Sequence, residues 1–532
     1  MIKNFLKPLS SDNIYQTVFF LLLCLLAAAM PTSRFAMSFV QILMGVNWLL
    51  EGQYKEKTQR FIRNKPAVVF SMLFGVQIIG LLWTQDLVYG IGSDLKDKIP
   101  MLTLTFLVVS SRPLSIYKIH FLLYIFFAAV LVTTFIGFVI YITGNYTNFR
   151  HISPYVSHLY LSMMIVMTIF TLPWLTQKIT TQKKWLWTSL GISLWLIIFL
   201  FILRSMTGLL CLAGVMVFLM FRSLVKSPQW TVKAIMGLAL LLITGVILSL
   251  SARMYSKISS EIDPGTYETD QYTAMGNPYR HLPEEMAREN GHYVYRFIAE
   301  DELRDAWNER STLDYDGEDA AGNELKVTLF RYMSSLGLKK DREALESLQP
   351  EDIHAIENGT ANYLYTQWPG VLVRVHQTIW ELYWYQQTGN PTNHTFTQRV
   401  ELWKGSWIAF LEKPLLGWGT GDIFIGVRYG LEQMNSPMEN YHMKPHNQYL
   451  LFLVSFGVIG SMVIYVLYFY YVKLTRAYRF LPFNLFLIIM LISSLGMSPI
   501  DSQAGQTFFT FFTLYFGILY PHVDGHPVLD NG

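Results

Sequence analysis

The chain has 532 residues, of which 52% are hydrophobic and only 15% are charged, with 41 Lys and Arg against 38 Asp and Glu. A soluble protein of this length carries about 25% charged residues, so the composition excludes an ordinary soluble domain. The apolar residues form runs of roughly 17–25, the length of a helix that crosses the hydrocarbon core of a bilayer. The sequence therefore predicts an all-α polytopic membrane protein, because a membrane barrel shows short alternating segments instead.

Nine apolar runs precede a long polar segment and three follow it, which predicts about twelve transmembrane helices. The first run is too long for a signal peptide and lacks a small-residue cleavage site, so we expect it to remain as a helix. Cys24 and Cys211 fall inside apolar runs and are interpreted as buried hydrophobic residues. The predicted spans are 14–30, 35–50, 67–83, 99–110, 119–142, 157–173, 186–203, 205–221, 234–250, 446–472, 481–497 and 506–521.

The loops between these spans differ in their content of basic residues. One alternating set is rich in Lys and Arg, with five between residues 55 and 65 and three between residues 473 and 479. The other set of short loops is poor in them. Because basic loops stay in the cytoplasm, both termini are predicted to be cytoplasmic, and the long segment 251–445 is predicted to lie outside.

This outward segment is acidic, with 29 Asp and Glu against 18 Lys and Arg. The stretches 283–311 and 338–359 have helical spacing and acidic helix starts, and the segment has many Tyr and Trp residues, so we expect folded helices rather than a disordered tail. Asp314 and Asp316 are interpreted as a solvated turn. The predicted domains are 1–250 with nine spans, 251–445 with an acidic helical insertion at 255–395 and an interfacial helix and Gly-rich return segment at 396–445, 446–521 with three spans, and a cytoplasmic tail at 522–532.

Two arginines lie where predicted spans meet the outer surface. Arg204 falls between two spans with almost no loop, where a charge is costly unless it is paired or lines a wet cavity; snorkelling to the interface is the alternative. Arg399 lies near the start of a predicted interfacial helix at 397–411, where backbone N–H groups attract anions. Because guanidinium groups bind pyrophosphate in bidentate fashion, both arginines are candidate ligands for a pyrophosphate.

A histidine opens the tenth predicted span. Because an unperturbed imidazole titrates near neutral pH, His446 is a candidate general base, although a histidine that caps the next helix is the alternative. Asn447 can also cap that helix. Gly417, Gly419 and Gly421 alternate in the return segment, and glycine lets a backbone approach a ligand closely, although a plain turn explains them as well. A base beside arginines fits glycosyl transfer from a polyprenyl-diphosphate sugar, and this chemistry requires no cofactor.

Several short motifs resemble the O-antigen ligase family, which shares its signature region with O-antigen polymerases and bacterial protein O-oligosaccharyltransferases. The upstream arginine motif of that family resembles Leu203-Arg204-Ser-Met-Thr-Gly. The twelve-span layout with its largest external loop between spans nine and ten is also similar, although the loop is much larger here. The signature region resembles Arg399-Val-Glu-Leu-Trp403, Lys413-Pro-Leu-Leu-Gly-Trp-Gly-Thr-Gly, His446-Asn-Gln-Tyr-Leu and Phe456-Gly-Val-Ile-Gly460.

The resemblance implies a GT-C-type glycosyltransferase in the bacterial inner membrane, with an inverting, metal-independent active site on the periplasmic side. His446 would be the catalytic base, and Arg204, Arg399 and, in a looser motif, Arg150 would hold the donor pyrophosphate. The donor would be undecaprenyl-diphosphate-linked O-polysaccharide and the acceptor the lipid A core, with membrane lipid around them and no nucleic acid involved.

Three other functions, in two further classes, remain open at this point. The same lipid-linked donor serves an O-antigen polymerase, whose acceptor is a growing glycan, and a protein O-oligosaccharyltransferase, whose acceptor is a Ser or Thr. A non-enzymatic polysaccharide transporter is the third class. Transport requires polar residues deep within many spans, whereas the outward polar residues here are concentrated at one face, which argues against it.

Overall fold

The computed structural model describes residues 13–144, 149–226, 229–260, 271–282 and 287–520. The described chain is mostly helical, as predicted. It divides into two compact units. Unit 1 comprises residues 1–146, 150–221 and 399–532, and unit 2 comprises residues 147–149 and 222–398. The predicted cytoplasmic tail at 522–532 lies outside the described residues.

Unit 1 is built from apolar helices joined by short connections. Its helices up to the polar segment are α1 (Ile14–Thr32), α2 (Arg34–Glu51), α3 (Tyr54–Arg63), α4 (Lys65–Gly80), α5 (Pro100–Ser110), α6 (Ile116–Thr143), α7 (His158–Ile179), α8 (Lys183–Ile202) and α9 (Met206–Lys226). Short helical turns fill the region between α4 and α5.

Unit 2 contains a long helix, a small hairpin and several short helices. They are α10 (Trp230–Ser259), β1 (Arg288–Glu289), β2 (His292–Tyr293), α11 (Glu300–Arg310), α12 (Leu325–Ser335), α13 (Arg342–Glu346), α14 (Pro350–Glu357), α15 (Leu364–Gln367) and α16 (Gly370–Thr388). The apolar core of the short helices includes the fully buried side chains of Trp307, Tyr315, Tyr332, Leu329 and Met333.

The last helices of the chain are α17 (Thr395–Glu412), α18 (Ile423–Gln433), α19 (Gln448–Thr475), α20 (Leu481–Gly496) and α21 (Gln503–Leu514). From Arg399 onward they belong to unit 1.

Seven helices of the described chain are long and apolar enough to cross a membrane, namely α1, α4, α6, α7, α8, α9 and α19. The remaining predicted spans coincide with α2, α5, α10, α20 and α21. The membrane-type helical architecture is thus confirmed, whereas the total of twelve spans and the GT-C class stay predictions.

The helix ends of unit 1 are grouped as the alternating loops require. Gln503, the first residue of α21, donates a hydrogen bond to Ser38 in α2 (2.7 Å), and both belong to ends predicted to face outward. Trp48 near the end of α2 donates to Ser110 at the end of α5 (2.8 Å), and both belong to ends predicted to be cytoplasmic. The contacts agree with the predicted alternation, and which end faces the periplasm stays a prediction.

Helix α19 is interrupted at Gly457, whose backbone conformation residues other than glycine rarely adopt. Gly457 has a φ of 61°, which interrupts the helix and frees backbone groups from their intrahelical partners. The return segment before α18 satisfies these groups, as irregular backbone at membrane depth requires. The hydrogen bonds run from Trp418 N to Val454 O (2.8 Å), Gly419 N to Ser455 O (2.9 Å), Val458 N to Pro414 O (2.8 Å) and Ile459 N to Leu415 O (3.1 Å).

The predicted helix at 283–311 is wrong in its first half. Residues 283–286 lie outside the described chain, and the strands β1 and β2 pair antiparallel where the helix was expected. Asn290 and Gly291 both have positive φ, 51° and 95°, and form the turn between the strands. Asn-Gly is a strong hairpin signal, and it outweighs the helical spacing. The helix starts only at Glu300, where three acidic residues occupy its first turn.

Candidate active site

Helix α17 positions Arg399 in unit 1. The helix extends over Thr395–Glu412, close to the predicted 397–411. Leu402 and Ala409 are fully buried on one face, whereas Trp407 and Leu411 are about half exposed on the other, at 49% and 57%. An apolar exposed face suits the predicted contact with a membrane surface.

One hydrogen bond ties α17 to the segment before α19. The Trp403 indole Nε1–H donates to the carbonyl of Pro445 (2.9 Å), which lies in the histidine turn, defined here as residues 444–447. Arg399 precedes Trp403 by one helical turn and therefore lies on the same face. The positive charge of Arg399 is close enough to lower the pKa of His446. The structure thus brings Arg399 and His446 together, and their shared role in one site stays a prediction.

The imidazole of His446 is held in its neutral form. Burial lowers its pKa to about 4, and the positive charges of Arg399 and Lys444 act in the same direction. The backbone of His446 has a φ of 50°, in the left-handed region that is uncommon for a residue other than glycine. Strain of this kind often occurs at functional sites. At pH 7 the ring carries a free lone pair, which a general base requires.

Asn447 caps α19. Its side-chain oxygen accepts hydrogen bonds from the backbone N–H groups of Tyr449 (3.0 Å) and Leu450 (3.1 Å), and its amide nitrogen donates to the carbonyl of Leu495 at the end of α20 (3.2 Å). The cap satisfies two of the free N–H groups of the first turn. The interpretation of Asn447 as a cap is confirmed. The cap contributes to the site because it fixes the backbone directly after His446.

Arg204 lies at the tight turn between α8 and α9, half-buried and with a φ of 50°. The next residue, Ser205, donates to Ser162 in α7 (3.1 Å). Two residues earlier in α7, Tyr160 accepts a hydrogen bond from Ser502 (2.6 Å) in the loop between α20 and α21. These contacts place Arg204 at the same end of unit 1 as the histidine turn. Its binding of the donor stays a prediction.

Arg150 lies in the short turn Phe149–Ile152 that precedes α7, and it is exposed. The turn packs through Ile152, whose carbonyl approaches Gly137 in α6. The place of Arg150 in the donor site stays a prediction that depends on the resemblance.

The three glycines of the return segment approach the chain itself. A side chain on Gly417 would meet the backbone nitrogen of Phe456 at 2.6 Å, and one on Gly421 would meet the Cα of Gly90 at 2.9 Å. Gly419 faces Thr84 in the same way. The alternative that these glycines form a packed turn therefore explains them, because backbone of this protein fills the space that a ligand would need.

Sequence reasoning missed a group of buried charges beside the histidine turn. Lys444 contacts Asp501 (2.6 Å) and Asp94 (3.0 Å), and Lys98 contacts the same two carboxylates at 3.4 Å each. Burial would lower the pKa of Lys444, but Asp501 and Asp94 outweigh it and raise this pKa. The available signal was charge in segments predicted to face outward, yet these three segments are more than 50 residues apart in the chain, and only the fold shows that they meet.

An apolar cavity of about 110 Å³ adjoins the same region of unit 1. Gln448 and Tyr449 of α19 line it on one side, and Lys98 and Gln506 contribute polar groups. This volume accommodates a few water molecules.

The fold and site define a polytopic helical membrane protein in which a neutral histidine and an arginine meet at the ends of apolar helices. Within this chain, residues 359–465 match the family model described as O-antigen ligase. The resemblance found in the motifs is thus confirmed from just before α15 to the middle of α19. The matched region also includes residues 359–395, the end of the insertion to which no motif had been assigned. No curated protein matches the chain.

This similarity indicates a glycosyl-transferring membrane enzyme of the O-antigen ligase and polymerase kind in general, with a lipid-linked polysaccharide as its class of substrate.

Proposed function

We propose that the protein is an O-antigen ligase that transfers polysaccharide from undecaprenyl diphosphate to the lipid A core at the periplasmic face of the inner membrane. The observation that carries the proposal is the hydrogen bond between Trp403 and Pro445, which holds Arg399 beside the neutral His446. The helix that carries Arg399 and the turn that carries His446 both lie within the segment that matches the family model.

In the proposed reaction, His446 takes the proton of an acceptor sugar hydroxyl. The hydroxyl oxygen forms a bond to the anomeric carbon of the donor glycan, and the bond between that carbon and the diphosphate oxygen breaks. The diphosphate leaves with the electron pair, and Arg399 and Arg204 stabilise its developing charge. Attack opposite the leaving group inverts the anomeric carbon, and the protein side chains supply the charge neutralisation.

Donor binding would also strengthen the base. In the free protein, Arg399 and Lys444 disfavour the protonated imidazole. A bound diphosphate brings negative charge beside Arg399, which offsets this effect and raises the pKa of His446 toward neutrality. A base with a pKa closer to the working pH accepts a proton more readily. His446 would therefore become a stronger base only when the donor is in place.

The test is a lipopolysaccharide gel of a strain that lacks the gene, complemented with the wild-type protein or with His446→Ala. A ligase predicts that the deletion strain and the variant retain intact core, lose all O-polysaccharide bands and accumulate polyprenyl-linked polymer. Core that carries a single repeat would instead indicate a polymerase. An unchanged ladder in the deletion strain would exclude the lipid A core as acceptor and direct the search to protein glycosylation. Loss of polymer from the outer side of the membrane would indicate transport.

A further inference from the structure

Four buried charged side chains, one of them from the histidine turn, contact one another and are here called the lysine–aspartate cluster (Lys98, Lys444, Asp94 and Asp501). Each lysine contacts both carboxylates, at 2.6 and 3.0 Å for Lys444 and at 3.4 Å twice for Lys98. The side chains are 4–18% exposed. They come from the turns before α5, from the histidine turn and from the loop between α20 and α21.

A gain in folding stability does not by itself explain the presence of the lysine–aspartate cluster. Removing four charges from water is unfavourable, and buried ion pairs often add little to the free energy of unfolding compared with apolar side chains. Buried ion pairs of this kind are better explained when they specify one arrangement of the chain. Here the arrangement concerns His446, because Lys444 precedes it by two residues.

The backbone between Lys444 and His446 is restrained by contacts on both sides. Pro445 has a ring that restricts its φ, and its carbonyl accepts the hydrogen bond from Trp403. Asp94 and Asp501 hold the preceding Lys444, and the Asn447 cap holds the residue that follows. These restraints on both sides keep His446 in its unusual left-handed conformation.

We propose that the lysine–aspartate cluster is a positioning device for His446, which fixes the histidine turn and keeps the charge behind the imidazole balanced. The inference rests on the proposed function, in which His446 accepts the proton of the acceptor. Lys444 acts through the histidine turn and is therefore a positioning residue. The cluster contains two positive and two negative side chains, so its net charge is zero.

The charged groups that act on His446 can be named from each neighbouring element. Arg399 comes from α17 and Lys444 from the histidine turn itself. Behind Lys444 lie the other cluster members and Asp97, whose pKa is raised by burial and by the charges of Asp501 and Asp94. Loss of one lysine leaves the cluster with net negative charge, which favours the imidazolium, whereas loss of one carboxylate leaves net positive charge, which disfavours it.

The variants Lys444→Met and Asp501→Asn should therefore shift the titration of His446 in opposite directions. We expect a rise of about 1 pH unit for Lys444→Met, a fall or no rise for Asp501→Asn, and a return toward the wild-type value for the double variant. Lys444→Arg keeps the charge and should titrate like the wild type. A purely structural role would impair both single variants without this opposition of sign.

The titration can be measured without the transfer reaction. The full-length protein in detergent is treated with diethyl pyrocarbonate over a range of pH, and modification of the peptide that contains His446 is measured by mass spectrometry. The exposed His354 of unit 2 is the internal control, and its modification should be the same in all variants. Equal or same-direction shifts of His446 in the two single variants would overturn the proposal.

Kinetics of the purified enzyme provide the second measurement. We expect Lys444→Met to lower kcat at pH 7 by about tenfold or more while donor KM changes less than about threefold, because a misplaced base impairs the chemical step rather than donor binding. Unchanged kcat in Lys444→Met would also overturn the proposal. If His446→Ala itself transfers glycan normally, the proposed function fails, whereas opposed titration shifts would still show that the cluster controls the charge at His446.

Discussion

Arg399 combines two effects that substitutions can separate, namely a fork of donors for a diphosphate and a positive charge beside His446. Arg399→Lys keeps the charge and removes the fork, since an ammonium cannot bind two oxygens in the same planar geometry. Arg399→Gln removes both. The two variants should therefore differ in the pH dependence of transfer as well as in donor affinity.

The magnitudes follow from the number of lost interactions. A hydrogen bond between charged groups contributes about 1.5–3 kcal/mol, so Arg399→Lys, with one of two such bonds lost, should lower kcat/KM for the donor by roughly 10- to 150-fold. Arg399→Gln loses both, which predicts a decrease of at least about 150-fold. It also removes a charge that lowers the pKa of His446, so the acid limb of its pH profile should move to higher pH by about 1 unit.

The assay is transfer of a lipid-linked glycan by purified protein in liposomes, with kcat/KM measured from pH 4.5 to 8. Lys404→Gln is the matched control, because Lys404 lies on the same helix, is 51% exposed and pairs with Glu401 at 3.7 Å. It should change kcat/KM by less than about twofold. Equal losses for Arg399→Gln and Lys404→Gln, or an unshifted acid limb in Arg399→Gln, would refute the placement of Arg399 beside the base.

Three further outcomes are expected. The wild-type kcat/KM should stay nearly flat between pH 7.5 and 5.5, because the lowered pKa keeps His446 neutral until the pH falls toward 4, whereas a histidine of ordinary pKa would cause about a tenfold loss by pH 5.5. Trp403→Phe should lower kcat several-fold with little change in donor KM, because one hydrogen bond of about 1 kcal/mol to the histidine turn is lost; equal changes in kcat and KM would contradict this. Gly457→Ala should destabilise the protein by more than about 2 kcal/mol in thermal unfolding, because its φ is 61° and the new methyl group would meet the Leu415 carbonyl, whereas Gly45→Ala, with open space around it, should be neutral or stabilising.

The membrane architecture was predictable because its signal is local. Apolar runs of bilayer length specify helices wherever they occur, and the loop charges alternate with them. The start of α17 and the cap at Asn447 were also predictable, since each depends on a few neighbouring residues. The helix expected at 283–311 failed because Asn290-Gly291 prefers a hairpin turn, a local signal that was given too little weight.

The arrangement of the site depended on contacts that are distant in sequence. The motif around Arg399 and the motif around His446 are each recognisable alone, but only the hydrogen bond between Trp403 and Pro445 shows that they meet. Asp501 and Asp94 appear in the sequence as ordinary loop charges. Their pairing with Lys444 requires three connections of the helical bundle to converge, which periodicity and composition do not encode.

The role of the three alternating glycines could not be decided from the sequence either. Their alternation at 417, 419 and 421 suits a ligand-binding loop as well as a packed turn. The break of α19 at Gly457 decides between the two, because the return segment supplies the partners for the freed backbone groups. The sequence motif around Phe456 thus has a structural reason.

The most direct test of the proposed mechanism compares two histidines four residues apart. Purified wild-type protein, His446→Ala and His442→Ala are supplied with lipid-linked O-polysaccharide and lipid A core in liposomes, and the rate of transfer is measured. His442 is exposed and stacks on Phe424, which makes it a control for loss of an imidazole in the same segment. Loss of a general base predicts a decrease of about 10²- to 10⁴-fold for His446→Ala and a rate within about threefold of wild type for His442→Ala. A rate for His446→Ala close to that of the wild type would contradict its assignment as the catalytic base.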